Sequence, residues 1–289
     1  MRRVGLIGAV LLASSLCAGC GGGNGQYMTE DRLDNGLVII LPGIEGESEF
    51  NRNIRRGLLA ARVDRAIMIH NWGLPVPLVK QVDVIGNRLA GAEVAKIVVG
   101  YQRSHPGRPV HIIGHSGGGG VAVFAAEEMP ADRKVDGLVL LSPSISAGYD
   151  LRKAMANCRD GIVNFYNPAD TGLLGIGTTI VGNVDGIRGP SAGLTGFQKS
   201  YADLRQVRVQ SGRADPHSAA TNVGYVRRHV APYVLAGRGV AGATGHAAGA
   251  GTGETARLLT PKIVCDSITG SCRLVGFEPR GAASHLAPR

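Results

Sequence analysis

The stretch from Pro109 to Gly120 constrains the fold of this chain more than any other. Its apolar run, residues 110–115, predicts a short buried strand, and four glycines directly after Ser116 open a helical pattern over residues 117–129. The residues from Gly114 to Gly118 fit G-x-S-x-G, in which a serine occupies a sharp strand-to-helix turn. The glycines carry no Cβ atoms that would collide where strand and helix come close. The sequence therefore predicts a strained turn that holds the Ser116 hydroxyl clear of the backbone.

Apolar runs alternate with helical patterns between Gly36 and Leu235, which is typical of βαβ units and of an α/β fold with a mainly parallel sheet, helices covering both faces. With 289 residues, the chain has room for one large domain. The segment after residue 142 holds no large helical insertion, so no lid is expected there. Glycine-rich residues 171–200 predict a long irregular loop. The predicted strands are 36–41, 66–70, 110–115, 137–142, 161–166 and 204–209, and the predicted helices are 51–63, 79–101, 117–129, 150–158 and 218–235.

The N-terminus predicts a secretory signal over residues 1–19. Two arginines precede an apolar run, residues 4–12, that is far shorter than the ~20 residues needed to cross a bilayer. Residues 16–20 resemble a bacterial lipoprotein signal, which implies lipidation of Cys20 and a lipidated tether over residues 20–36. The resemblance places the protein in the bacterial cell envelope, anchored to a membrane and facing the periplasm or the surface. Such signals prefer leucine where Cys17 stands, so ordinary signal cleavage stays open.

The tail, residues 237–289, is rich in glycine and alanine and buries too little apolar surface to offset its ordering entropy. Its one predicted element is a hairpin, which an oxidising compartment would close by a disulfide between Cys265 and Cys272. Cys158 is interpreted as a small buried hydrophobic residue.

Composition and motifs argue against several classes of function. The formal charge is +9, but the basic residues are scattered and form no nucleic-acid arm. Neither a phosphate-binding P-loop nor a strand-linked dinucleotide fingerprint is present. His111 and His115 lie four residues apart on a strand, about 13 Å, which is too far for joint chelation of a metal ion. We therefore expect no metal site, no cofactor and no nucleic-acid partner.

Residues 37–236 resemble the α/β-hydrolase superfamily, in which nucleophile, acid and histidine follow one another along the chain at carboxyl ends of strands. The resemblance implies Ser116 as nucleophile, Asp170 as acid and His217 as general base. Asp185 is a second candidate acid, whereas Asp160 precedes its strand and is excluded by position. His115, beside the nucleophile, is expected to pack or to shape the site.

Two backbone amides are expected to bind an oxyanion. Gly117 lies at a helix N-terminus, where its N–H points toward the developing charge. The resemblance implies a second donor in the turn after the first strand, with Ile44 the first choice and Gly43 the next. In this turn Pro-Gly replaces the His-Gly pair frequent in the family. Trp72 is expected either to line the substrate pocket or to anchor the core.

The sequence thus predicts an envelope-anchored serine hydrolase that cleaves an ester, thioester or related acyl bond through an acyl-enzyme on Ser116. Its partners would be a small-molecule or lipid acyl substrate and, through the N-terminal lipid, a membrane. The alternative is a non-catalytic lipoprotein of the same fold that binds a partner or an envelope ligand.

Overall fold

Six parallel strands form the central sheet, and their order across it is Ala66–Ile69, Leu37–Leu41, Val110–His115, Gly137–Leu141, Ile162–Tyr166 and Leu204–Arg208. The computed structural model describes residues 24–73, 77–172, 182–212, 214–236, 259–265 and 272–279. The predicted α/β class with a parallel sheet is confirmed. The strands are β1 (Leu37–Leu41), β2 (Ala66–Ile69), β3 (Val110–His115), β4 (Gly137–Leu141), β5 (Ile162–Tyr166) and β6 (Leu204–Arg208).

Helices cover both faces of the sheet because successive strand residues point to opposite sides. In β1, Leu37 and Ile39 belong to one core cluster and Val38 and Ile40 to the other. The first cluster contains side chains of the helices Val84–Ser104 and Gly117–Glu127, and the second contains side chains of the helix Glu49–Ala60 and of the closing helix, residues 223–235. The helices are α1 (Glu30–Leu33), α2 (Glu49–Ala60), α3 (Pro77–Val82), α4 (Val84–Ser104), α5 (Gly117–Glu127) and α6 (Arg152–Ala156), with single turns at Gly25–Tyr27, Ala192–Thr195 and Ala219–Thr221.

The strand order reverses at β1, which pairs with β2 on one side and with β3 on the other. In parallel α/β sheets, a crevice opens beyond the carboxyl ends of two adjacent strands whose connections leave in opposite directions, and ligands bind there. Here these two strands are β1 and β3. The elbow after β3 and the turn after β1 both border this crevice. The connection from β4 to β5 holds only the short helix α6, so the absence of a large lid insertion at that place is confirmed.

The N-terminal segment departs from the prediction of a tether over residues 20–36. Residues 24–36 pack on the domain, with Met28 and Leu33 buried in the core and Asn24 buried beside β2. The described part of this segment therefore belongs to the folded domain and does not act as a tether. Residues 1–23, including the predicted signal and Cys20, lie outside the described residues.

Two predicted helices are interrupted. The helix expected over residues 79–101 consists of α3 and α4, separated by Asp83, whose side chain accepts a hydrogen bond from the Gly86 amide and caps α4. The closing helix contains a π-helical turn, Val226–Val230, directly before its last segment Ala231–Leu235. Pro232 cannot donate a backbone hydrogen bond, and the wider turn accommodates that loss.

Within the tail, the described residues form an antiparallel pair, β7 (Leu259–Cys265) and β8 (Cys272–Pro279). The register places Cys265 directly opposite Cys272, as the predicted hairpin requires. Residues 237–258, 266–271 and 280–289 lie outside the described residues. Among the helices described, none has the length and apolar character of a membrane span.

Candidate functional site

Ser116 occupies the sharp turn between β3 and α5 with a backbone that L-residues rarely adopt, φ 52° and ψ −123°. Its neighbours fix this conformation. The Ser116 amide donates to the Leu141 carbonyl at 3.0 Å, and the Ser116 carbonyl accepts from the amides of Gly119 and Ser144, each at 2.9 Å. Strained positive-φ residues persist where surrounding contacts determine them and are concentrated at functional sites.

Glycine is required where α5 crosses the turn after β1. A Cβ atom on Gly118 would lie 2.3 Å from the carbonyl oxygens of both Leu41 and Pro42. One on Gly114 would lie 2.4 Å from the Gly118 carbonyl oxygen. Both distances are far inside van der Waals contact, so the predicted steric reason for these glycines holds in the structure.

Asp170 and His217 form a hydrogen-bonded pair. Asp170 Oδ2 lies 2.6 Å from His217 Nδ1, and the two residues are only 4% and 7% exposed. Asp170 lies in the turn that follows β5, and His217 follows β6 on the loop before the closing helix. Since β5 and β6 are adjacent and parallel, their carboxyl ends deliver both side chains to the same sheet edge as Ser116.

Asn167 links the two loops that carry this pair, a role that the sequence did not reveal. Its Nδ2 donates to the Pro216 carbonyl at 2.9 Å, directly before His217, and its Oδ1 accepts from the Ala169 amide at 3.1 Å, directly before Asp170. An asparagine before proline signals a turn, but nothing in the sequence indicates which other loop its side chain reaches.

His115 lies between the elbow and the acid–histidine pair. Its ring centroid is 5.1 Å from that of His217 and 5.6 Å from that of Phe50, so this residue packs as expected. Burial lowers the pKa of His115 to about 3, and the nearby His217 acts in the same direction. His115 is therefore neutral at neutral pH.

The second candidate acid has a different partner. Asp185 accepts hydrogen bonds from the Ser146 amide at 3.2 Å and from Ser146 Oγ at 2.5 Å. Burial raises the pKa of Asp185, and these hydrogen bonds oppose the rise. The structure thus brings Asp170, and not Asp185, to His217.

The turn after β1 lies against the N-terminus of α5. A Cβ atom on Gly117 would meet Ile44 Cγ2 at 2.9 Å and the Trp72 ring at 3.3 Å. Trp72 Nε1 donates to the Pro42 carbonyl at 2.7 Å and so fixes the turn. Within the described part of the chain, the amides of Ile44 and Gly117 have no acceptor. Trp72, 2% exposed, therefore anchors the core and also supports the elbow.

Two charged residues beside this turn were missed by the sequence reasoning. The Glu45 carboxylate lies 4.0 Å from His115 Nδ1 and accepts a hydrogen bond from Ser48 Oγ at 3.2 Å. Lys80, 5% exposed, places its ammonium 4.9 Å from the Trp72 ring centroid. Burial lowers the pKa of Lys80, and Glu45 opposes this shift. Neither residue stands in a motif, so only the tertiary fold identifies them.

Comparisons with known proteins find similarity at the level of fold. Est1E from Butyrivibrio proteoclasticus, in a structure with ferulic acid, is 14% identical with a TM-score of 0.45, covering 70% of this chain and 89% of that one. A hydrolase from Oleispira antarctica is 11% identical with a TM-score of 0.43, covering 70% and 91%. Lipase B from Aspergillus fumigatus is 16% identical with a TM-score of 0.40, covering 68% of this chain and 50% of its own.

These similarities carry no argument about activity, because identities and TM-scores are low and this chain spans about half the length of the Aspergillus lipase. No family model matches the chain, and no curated protein does. Conclusions about function therefore rest on the residues of the site.

Proposed function

We propose that this protein is an envelope-anchored serine hydrolase that cleaves an ester, thioester or related acyl bond through an acyl-enzyme on Ser116. The observation that carries the proposal is the buried pair of Asp170 and His217, joined at 2.6 Å beside the strained elbow that presents Ser116. A serine hydroxyl needs a base to remove its proton, and a histidine in a fixed tautomer is the usual base.

The proposed catalytic roles follow from which ring nitrogen of His217 is hydrogen-bonded to Asp170. Asp170 engages His217 Nδ1, which leaves Nε2 to accept the Ser116 proton as Oγ attacks the acyl carbon. His217 then returns this proton to the departing alcohol or thiol. In the second half-reaction a water molecule gives a proton to His217 and attacks the acyl-enzyme, which releases the acid and restores Ser116.

The amides of Gly117 and Ile44 are the proposed donors to the tetrahedral oxyanion. Gly117 opens α5, so its N–H has no intrahelical acceptor and lies at the positive end of the helix dipole. The contact between Ile44 and Gly117 supports the pairing of these two donors. Preorganised donors of this kind lower barriers by about 3 kcal/mol each.

Labelling with a fluorophosphonate probe tests the proposal. The wild-type protein should form a covalent adduct whose peptide maps to Ser116, and Ser116→Ala should form none. Ser142→Ala is the matched control, since Ser142 also has a positive φ, 45°, and directly follows a neighbouring strand, but is fully buried. Absence of an adduct on the folded wild-type protein would contradict the enzyme and favour the binding protein.

Substrate class is tested by hydrolysis of p-nitrophenyl esters of increasing acyl length and of the matching thioesters. Activity that disappears in Ser116→Ala, and that varies with acyl length, supports acyl-bond hydrolysis by this site. Turnover that persists in Ser116→Ala would assign the activity to other groups.

A further inference from the structure

The described part of the chain begins at the carboxyl edge of the sheet. Asn24 is 6% exposed, and its side chain pairs with Ile69 as a peptide unit would: Nδ2 donates to the Ile69 carbonyl and Oδ1 accepts from the Ile69 amide, both at 2.9 Å. Ile69 is the last residue of β2. The first described residue is therefore fixed at the edge that also carries Ser116.

The predicted lipidation site lies very close to this fixed point. Only three glycines separate Cys20 from Asn24. A fully extended chain advances at most ~3.6 Å per residue, so the Cα atoms of Cys20 and Asn24 are within about 14 Å in any conformation. That distance is shorter than the ~17 Å spanned by one five-residue strand. While Asn24 stays docked, acyl chains on Cys20 therefore hold the carboxyl edge of the sheet near the membrane.

Exposed apolar side chains gather at the same edge. Within the described residues, six large hydrophobic side chains are exposed, and five belong to segments that follow carboxyl ends of strands; we call these five the apolar rim. Ile85 and Leu89 are one helical turn apart at the start of α4. The rim consists of Phe50, Val82, Ile85, Leu89 and Ile187.

One contact holds part of the rim beside the site, and another joins two further parts of it. Phe50 packs edge-on against His115, at 5.6 Å between ring centroids. The loop of Ile187 lies on the start of α4, where a Cβ atom on Gly186 would be 2.7 Å from Val84 Cγ2. The sixth exposed residue, Leu235, lies at the opposite edge, since the preceding carbonyl of Val234 accepts from Arg65 just before β2.

The geometry points to a membrane-facing active site: with acyl chains on Cys20, the apolar rim enters the interface of the bilayer and Ser116 faces the leaflet. The substrate is then an acyl lipid, or another ester held in that leaflet, which reaches Ser116 without crossing water. This inference rests on the proposed function, both the lipidation of Cys20 and the hydrolase chemistry of Ser116. It adds the orientation and the source of the substrate.

Orientation is tested without any catalytic readout. The protein is isolated from bacterial membranes with its N-terminal modification. Serine replaces Cys158, Cys265 and Cys272, and one new cysteine is introduced as Ile187→Cys or Leu235→Cys. An environment-sensitive fluorophore is then attached to this new cysteine. In phosphatidylcholine vesicles containing doxyl-labelled lipid, we expect quenching at position 187 to be at least about threefold stronger than at position 235. Equal quenching, stronger quenching at position 235, or no association with vesicles overturns the inference. The labelling of Ser116 tests the proposed hydrolase activity independently of this result.

Substrate source is tested with the double variant Ile85→Asp, Leu89→Asp. Turnover of a long-chain fluorogenic ester embedded in the vesicles should fall about tenfold, with p-nitrophenyl butyrate turnover unchanged, because only the first reaction needs the rim in the bilayer. Leu235→Asp, the matched control with the same change at the other edge, should alter neither. A parallel loss of both activities in the double variant, or an unchanged vesicle reaction, overturns the inference. Lack of butyrate turnover in the wild type would instead reject the proposed function.

Discussion

Asp170 and His217 lie 47 residues apart in the chain, yet their side chains meet at 2.6 Å in a nearly dry environment. The sheet produces this meeting, because β5 and β6 are adjacent, parallel and followed by the loops that carry the two residues. A buried carboxylate beside an imidazole stabilises the protonated ring, which is what a general base needs during attack by serine.

Asp170→Asn should lower kcat about 10³- to 10⁴-fold with a small change in KM, because an amide holds the wrong tautomer of His217. Steady-state hydrolysis of the best p-nitrophenyl ester measures this. Asp185→Asn is the matched control, since Asp185 is a partly buried carboxylate of the same edge that bonds Ser146. If Asp185→Asn lost as much activity as Asp170→Asn, the assignment of the acid would be wrong.

Asn167→Ala should reduce kcat about 10- to 100-fold and leave KM nearly unchanged, because the loops that align Asp170 and His217 lose their shared link. Asn167→Asp keeps the acceptor for the Ala169 amide but cannot donate to Pro216, so it should not restore the rate. Asn164→Ala removes a buried asparagine of β5 that bonds the Ala192 carbonyl. This control should lower the unfolding free energy with little effect on kcat, whereas equal kinetic losses would assign Asn167 a purely structural role.

Gly117→Ala and Gly118→Ala should separate function from stability. The new methyl group at residue 117 meets the end of the Ile44 side chain, which is able to shift, so we expect stability to fall by about 1 kcal/mol and kcat by about tenfold or more. At residue 118 it meets backbone oxygens, so destabilisation of several kcal/mol is expected. Urea unfolding and ester hydrolysis measure both, with Gly25→Ala, which has open space around it, as the neutral control. Similar stability of the two elbow variants would contradict this steric account.

The main features of the fold could be predicted because they depend on local patterns. Six apolar runs separated by helical periodicity determine a parallel sheet, and the strand-turn-helix context around Ser116 identifies the elbow. The positions of Asp170 and His217 after strands identify them as candidates, and the structure pairs them.

Other features depend on tertiary contacts that no local pattern encodes. Asn24 bonds Ile69, 45 residues away, and local sequence patterns, which do not reveal this contact, predict a tether up to residue 36. The links from Asn167 to Pro216 and from Lys80 to Trp72 likewise join distant segments. The break at Asp83 was the exception, since an N-capping residue before a new helix is a sequence signal that the long periodic pattern concealed.

Stability should fall as the pH decreases from about 6.5 toward 3, because two histidines of β3 are buried in the neutral form. Burial lowers the pKa of His111 to about 3, with Arg65 acting in the same direction. Burial also lowers the pKa of His115 to about 3. In this window the unfolded chain binds protons that the folded one does not, so each histidine costs up to about 1.4 kcal/mol per pH unit. Urea unfolding at a series of pH values should show a shallower slope in His111→Leu and in His115→Phe than in wild type. His229→Phe, at an exposed position, should retain the wild-type slope.

The register of the tail hairpin predicts a disulfide under oxidising conditions. Direct antiparallel partners have Cα atoms about 4.5–5.5 Å apart, within the range that a disulfide bridges. In a variant with Cys17 and Cys20 changed to serine, alkylation after unfolding without reductant should modify one thiol, and with reductant three. The single thiol should map to Cys158, which native alkylation leaves unmodified because burial raises its pKa to about 12. If three thiols were modified without reductant in protein exported to an oxidising compartment, no disulfide would join Cys265 and Cys272.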